Sequence, residues 1–163
     1  MNRHIRRARP EEAEALRALA HRSKAHWPYS EAFLEAVRPM LELDARDVET
    51  SDVWVLEADG QPVGWHRVTL HGERAELEDL WVEPAWIGTG MGRVLFEHAV
   101  AIARTHDATR LEWDADPYAE GFYVAMGGQE IGRSPSAAVE GRTLPRMRLP
   151  SHSHSMACCR SCT

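Results

Sequence analysis

The chain has 163 residues, 44% of them apolar and 27% charged, with a net charge of −6. These are the proportions of an ordinary globular protein, and the length suits one domain with a real core. The acidic balance argues against nucleic acid as the main partner, since binders of nucleic acid carry a basic footprint. The short cluster Arg3/Arg6/Arg7/Arg9 runs directly into Pro10-Glu11-Glu12, with no apolar stretch for a signal peptide or a membrane span. A cytoplasmic enzyme with no membrane partner is expected. The three cysteines, Cys158, Cys159 and Cys162, fall in the last six residues, so no disulfide framework is expected to hold the fold.

In chain order, His4 to Ala8 reads as a strand, and Pro10 opens a helix on which Ala13, Leu16, Leu19, Ala20 and Ser23 recur at helical spacing. Ser30 suits the N-cap of a second helix carrying Phe33, Leu34, Val37 and Leu41, which Pro39 interrupts. Val53 to Glu57 is a strand, and Asp59-Gly60 signals a tight hairpin into a second strand, Pro62 to Leu70. His71-Gly72-Glu73 turns the chain into a third, Ala75 to Val82, which ends before Pro84. A helix over Arg93–Arg104, a strand over Arg110–Trp113, a helix opened by Pro117 and closed by Gly127-Gly128, and strands over Gln129–Gly132 and Thr143–Leu149 complete the pattern. The order β-α-α-β-β-β-α-β-α-β-β predicts an α/β (α+β) fold: a mixed, mostly antiparallel sheet of six to seven strands with helices on both faces. Residues 1–150 are expected to form the domain. Residues 151–163 (SHSHSMACCRSCT) lack periodicity and read as a disordered tail.

Gly88, Gly90 and Gly92 lie between a predicted strand and a predicted helix. Glycines there let backbone N–H groups approach an anion at the helix's positive end, which favours phosphate or pyrophosphate. A Walker loop requires Gly-Lys-Ser/Thr, but Arg93-Val94 follows Gly92; a dinucleotide GxGxxG would need its last glycine at position 93. Both patterns are excluded. A tight loop that merely lets helix and strand pack is the alternative.

The run Glu83-Pro84-Ala85-Trp86-Ile87-Gly88-Thr89-Gly90-Met91-Gly92-Arg93-Val94-Leu95 resembles the pyrophosphate loop of GNAT N-acetyltransferases, Arg/Gln-x-x-Gly-x-Gly/Ala after a strand ending in Val-x-Pro. Ile87 stands where the family usually has Arg or Gln. Downstream, Asp116-Pro117-Tyr118-Ala119-Glu120-Gly121-Phe122-Tyr123-Val124-Ala125-Met126-Gly127 resembles the family's Asn-x-x-Ala-x-x-Phe-Tyr-x-x-x-Gly, with Asp116 in place of Asn. Looser resemblance to uncharacterised bacterial members lies in Ser23-Lys24-Ala25-His26-Trp27 and Gly141-Arg142-Thr143-Leu144-Pro145. The resemblance spans roughly residues 3 to 149.

What the resemblance implies is an acetyl-CoA-dependent N-acetyltransferase, acting on a primary amine of a small molecule or peptide by direct ternary-complex transfer, without a metal. Ile87, Gly88, Thr89, Gly90, Met91, Gly92, Arg93 and Asp116 become cofactor-binding candidates, with the grip left to backbone amides where Ile87 removes a polar side chain. Leu80, Trp81 and Val82 are expected to act through main-chain N–H groups, because in this family the strand before the loop splays from its neighbour. Tyr123 becomes the acid that protonates the departing thiolate, its ordinary pKa near 10 keeping it protonated at neutral pH; the alternative is a core aromatic. The strand Ala75–Val82 carries Glu76 and Glu78 on one expected face and Asp79 on the other. A buried carboxylate with its pKa raised can take a proton from an ammonium. Glu78 is the expected base, with Glu76, Asp79 and Glu112 as alternatives and a solvated strand face as the bland reading of each. His26, Trp27 and Tyr29 sit where the family forms part of its acceptor site, either as an amine pocket or as a hydrophobic cover. His66, His71, His98 and His106 lack metal spacing and read as surface or packing residues. Cys159-x-x-Cys162 has ligand spacing but no second pair. A homodimer is one expected assembly, and a non-catalytic acyl-CoA-binding or regulatory module on the same fold is the alternative function.

Overall fold

The computed structural model describes residues 2–150, and the predicted tail lies outside them. Strand β1 (Arg3–Arg7) pairs antiparallel with β2 (Asp52–Ala58), and the segment between them supplies three helices: α1 (Ala13–Ala25), α2 (Glu31–Val37) and α3 (Ala45–Thr50). Two arginines of β1 are tied to acids, Arg6 to Glu12 and Glu57 and Arg7 to Asp52. Ser30 caps α2 by accepting the Phe33 N–H at 3.1 Å, and the helix gives way to a single 3-10 turn at Arg38–Met40, where Pro39 removes a donor.

Helix α3 is absent from the sequence-based order. Its signal is a reciprocal cap: Asp44 accepts the Asp47 N–H at 2.8 Å and Asp47 accepts the Asp44 N–H at 3.0 Å. Leu43 and Val48, flanking that box, are buried in one core cluster, as in a hydrophobic staple.

The remaining order follows the predicted one. Strand β3 (Gln61–His71) returns from β2 through Asp59 and Gly60, both at positive φ (49° and 82°), the conformation of a type I′ turn. Then come β4 (Arg74–Val82), α4 (Met91–Thr105), β5 (Arg110–Asp114), α5 (Glu120–Ala125), β6 (Gln129–Pro135) and β7 (Thr143–Pro150). They form a seven-stranded sheet in the order β1-β2-β3-β4-β5-β7-β6, antiparallel except between β4 and β5. Leu16 and Leu19 of α1 pack on Val53, Val55 and Trp65 on one face, and the Trp65 indole donates to the Leu16 carbonyl at 2.8 Å. On the other face, Phe96, Ala99 and Val100 of α4 and Tyr123 of α5 pack on Leu77, Leu111, Trp113, Met147 and Leu149.

Two irregularities interrupt the regular pairing of β4. Its parallel pairing with β5 covers only Arg74–Glu76 against Arg110–Glu112, although β4 continues to Val82, so the strands part after Glu76. The β3–β4 register also slips between Arg67 and Val68, leaving Glu78 as an extra residue. Leu77 and Leu80 consequently pack on the same core despite being three apart. Asp79 therefore lies on the same face as Glu76, not on the opposite one as strict alternation predicts.

At the base of the fork, Arg146 of β7 reaches across β5. It donates to both carboxylate oxygens of Glu76 at 2.7 and 2.9 Å, to Glu112 at 3.3 Å and to Asp114 at 3.2 Å. Burial pushes the Glu76 carboxyl up, and the Arg146 bonds only partly offset that. Arg146→Met should therefore destabilise the protein by roughly 2 kcal/mol, below the ~3–5 kcal/mol of a fully buried pair because the site is partly wet. Urea unfolding checks this, and adding Glu76→Gln to Arg146→Met should recover part of the loss. Strictly additive losses would mean that the clamp is not a unit.

Candidate active site

The fork between β4 and β5 opens into a cavity of about 510 Å³. Its walls are Leu77–Val82 of β4, Trp113 and Asp114 of β5, the glycine loop, and Asp116, Tyr118, Phe122 and Tyr123 around α5; Trp27 stands at the end of α1. In an antiparallel pair, alternate residues of a strand turn their N–H and C=O groups away from the partner. Past Glu76 those groups of β4 have no β5 strand to meet, so they face the cavity. This is the splay the family resemblance implied, but alternation frees the N–H groups of Leu80 and Val82 alone; Trp81 turns its own toward β3, in step with the Glu83 N–H that donates to the Val63 carbonyl at 2.8 Å.

The three loop glycines have different reasons. Gly88 and Gly90 sit at φ 82° and 92°, with open space where a Cβ would project, so conformation and not crowding requires them. Gly90 is the N-cap of α4, whose first-turn N–H groups lack intrahelical acceptors. At Gly92 a Cβ would meet the Phe122 ring at 3.3 Å, so this glycine lets α5 close on α4. Ile87 packs on the cluster of Val82, Met91 and Leu95, and Met91 is buried in that cluster. Thr89 spends its hydroxyl on the Trp86 carbonyl at 2.5 Å. Ile87, Gly88, Gly90, Gly92 and Arg93 line the cavity, whereas Thr89 and Met91 do not. The Arg93 side chain is largely exposed and pairs with Glu97 at 2.9 Å. An anion at this loop would therefore meet backbone amides, the dipole of α4 and one guanidinium.

The candidate bases separate by partner. Glu76 is held bidentately by Arg146. Burial pushes the Glu112 carboxyl up, but Arg110 at 2.6 Å and Arg146 at 3.3 Å outweigh it and hold the group below its ordinary value. Glu78, the expected base, also lines the cavity, but its side chain is exposed, at the bulge, and accepts from the Thr69 hydroxyl at 2.8 Å. Asp79 is on the cavity wall, where burial pushes its carboxyl up to about 6. Its hydrogen bond comes from a neutral donor, the Trp81 indole, at 3.0 Å.

Tyr123 is buried, with its ring among Trp113 at 5.1 Å, Phe122 at 5.1 Å and Phe96 at 5.8 Å. Burial first, then the nearby carboxylates of Asp116 and Asp79, push its phenol well above 10, so it keeps its proton at neutral pH.

Asp116, expected to bind cofactor, is surrounded by protein donors. It pairs with Lys24, accepts from the Tyr29 hydroxyl at 2.8 Å and accepts the Tyr118 N–H at 2.9 Å. Burial pushes its carboxyl up, but these bonds outweigh that and hold it below the usual carboxylate value. Trp27 stacks on Tyr118 with centroids 5.4 Å apart, and His26 meets Trp27 edge-on. The roles of Lys24 and Arg142 were not legible in the sequence, although both fall in its looser family-like segments. His66 is fully buried and its Nε2 lies 2.8 Å from Nδ1 of His98, while His106 pairs with Asp52. Among the described residues no cluster of three or more His, Cys, Asp or Glu is placed to hold a metal, and no helix is long and apolar enough to cross a membrane.

Comparison with known proteins agrees with this geometry. Residues 13–127 match the model of the Acetyltransferase (GNAT) family, and the chain belongs to that family. The peptidyl-lysine N-acetyltransferase YjaB of Escherichia coli K12 is 35% identical over 133 residues, covering 80% of this chain and 84% of the relative. YjaB of Salmonella typhimurium LT2 is 34% identical over 133 residues, with 80% and 86% covered. The solution structure of apo YjaB from E. coli superposes with a TM-score of 0.68 at 28% identity, over 91% of this chain and 97% of that one. The PaiA N-acetyltransferase of Thermoplasma acidophilum in complex with coenzyme A shares the fold, with a TM-score of 0.70 at 19% identity over 92% and 99% of the two chains. The protein is thus a GNAT N-acetyltransferase with acetyl-CoA as its acyl donor.

The left-handed cap of α4 gives a direct check. Gly90→Ala should cost roughly 1–2 kcal/mol, the strain of a side chain at φ 92°. It should also weaken acetyl-CoA binding by calorimetry. An alanine variant as stable and as tight as the parent would contradict the cradle.

Proposed function

We propose that the protein transfers the acetyl group of acetyl-CoA directly to a primary amine, with a peptidyl lysine as the favoured acceptor. The observation that carries the reading is that Asp79, with only a neutral indole as hydrogen-bond donor, and the buried Tyr123 phenol line one cavity, where burial pushes the carboxyl up to about 6 and the phenol well above its ordinary value. At pH 7 Asp79 is mostly ionised and takes a proton from the acceptor ammonium, directly or through water. The neutral nitrogen attacks the thioester carbonyl, whose developing negative charge meets the cavity-facing N–H groups of Leu80 and Val82. As the carbon–sulfur bond breaks, Tyr123 donates its proton to the departing sulfur, and the second proton of the attacking nitrogen returns to the phenolate, directly or through water. Proximity of acid and base supports direct transfer, and no thiol precedes Cys158 in the sequence to form an acyl-enzyme. The lysine acceptor is supported by the activity for which the two YjaB relatives are named.

This reading reassigns the base from Glu78 to Asp79. It also accounts for Ile87, which with Asp116 is a departure from the family pattern that favours the alternative of a non-catalytic module, because the Ile87 side chain seals the loop onto the core. Asp79→Asn should lower kcat/KM on a lysine peptide about 10²–10⁴-fold, the ordinary worth of a positioned base. The rate of the parent enzyme should rise with pH through about 6 and then level off, since only the ionised carboxylate accepts a proton. Trp81→Phe removes a bond that holds the Asp79 carboxyl down, so its rising limb should move to higher pH. A limb that stays in place would remove Asp79 from the role. Tyr123→Phe should lower kcat with little change in acetyl-CoA affinity; unchanged turnover would exclude it as the acid.

A further inference from the structure

Three donors meet on the Asp116 carboxylate, two of them from 87 and 92 residues away in sequence, and a fourth group backs one of these. Lys24 comes from the last turn of α1, Tyr29 from the loop before α2 and the Tyr118 N–H from the turn before α5; Arg142 of the β6–β7 loop donates to the Tyr29 hydroxyl at 3.2 Å. The hydroxyl thus gives its proton to Asp116 and accepts from Arg142, across 113 residues of sequence. Lys24 is only 8% exposed, and its ammonium lies 4.9 Å from the Tyr29 ring centroid. Tyr29 stacks on Phe33 at 4.1 Å, and the Arg142 guanidinium covers Phe33 at 4.7 Å. Of these groups Asp116 and Tyr118 line the cavity together with Trp27, while Lys24, Tyr29, Phe33 and Arg142 stand behind them.

We propose that Asp116 is the keystone of the acceptor wall, and that Lys24, Tyr29 and Arg142 are positioning residues which make the α1–α2 loop and the β6–β7 loop act as one unit. The inference rests on the acetyl-transfer reading for the identity of the acceptor, but not for the coupling of the loops. Its physical basis is the buried ammonium. A lysine this enclosed needs a charged partner, and an asparagine, the family's usual residue here, would leave it unpaired. Aspartate at 116 is therefore matched to Lys24. Its oxygens are already occupied by the protein, and the bonds run to the end of α1, to the α1–α2 loop and, through Tyr29, to the β6–β7 loop, away from the glycine loop.

The test uses full-length protein. Tyr29→Phe keeps the stacked ring and removes only the hydroxyl. Backbone hydrogen exchange should accelerate about tenfold at residues 26–30 and also at residues 136–142, the loss of one bond to a charged group reaching both loops. On a lysine peptide, Tyr29→Phe and Asp116→Asn should each raise the acceptor KM about five- to tenfold, with acetyl-CoA affinity within about twofold of the parent. Lys24→Arg should retain most of the parent KM and Lys24→Met should not. Faster exchange confined to residues 26–30, or no change in exchange, overturns the proposal. So does an Asp116→Asn variant that loses acetyl-CoA affinity as much as it raises acceptor KM, because Asp116 would then be a cofactor ligand. A parent enzyme inactive on every amine would end the lysine reading alone; the exchange of residues 136–142 would still decide whether the wall is one unit.

Discussion

Everything functional in this fold depends on two neighbouring strands ceasing to be neighbours. A parallel pair would ordinarily continue as long as both strands last, because each abandoned position leaves backbone groups to be satisfied elsewhere. Here β4 and β5 stop pairing after Glu76 and Glu112, and the chain tolerates that because other forces fix the opening. Below the fork, Arg146 crosses β5 to hold Glu76, Glu112 and Asp114 together. Above it, β4 stays paired with β3 to Val82, while Trp113 turns into the core with Phe96 and Tyr123. The cavity is the space between a clamped base and two separately anchored arms.

The same packing that fills one arm builds the anion cradle. Met91 and Ile87 bury on Val82 and Leu95, which sets the start of α4 against the end of β4. Gly92 brings Phe122 against the first turn of that helix, and Phe122 adjoins Tyr123. The glycine loop and the phenol are therefore parts of one packing unit, although about thirty residues separate them. A shift of α5 would move both together, so the donor's anion site and the proposed acid keep a fixed relation without any direct bond between them.

Much of this was legible in the sequence, and for local reasons. The strands around Asp59-Gly60 and the glycine loop carry backbone requirements that few residues meet, so they announce themselves. Tyr123 and the splay were legible only through family resemblance, since nothing in a Phe-Tyr pair on a helix specifies a cavity. Helix α3 was missed because its Asp-Asp box departs from the usual Ser/Thr–Glu form of the cap. The position of Asp79 was misread for a deeper reason. A bulge is decided by pairing with β3, and period-two reading of β4 alone places Asp79 on the wrong face. The Asp116 network was out of reach too, since its partners lie 87 and 92 residues away and no local pattern encodes such a meeting.

The carboxylates around the fork show how the protein separates structural acids from a chemical one. Glu76, Glu112 and Asp114 each face the Arg146 guanidinium, and Asp116 faces the Lys24 ammonium. A cationic partner opposes the desolvation of an enclosed acid, outweighing it at Glu112 and Asp116 and offsetting it in part at Glu76, which makes each a good strut. Asp79 is different: its hydrogen bond comes from a neutral indole, and the nearby Arg67 is already engaged by Asp47 and the Ser51 hydroxyl. Desolvation is then incompletely compensated, and its proton affinity rises into the range where it can exchange protons at neutral pH. The bulge that spoils the pleat at Glu78 is thus what sets Asp79 on the cavity wall beside a neutral donor, while Glu76, Glu112 and Asp116 remain bound to arginine and lysine.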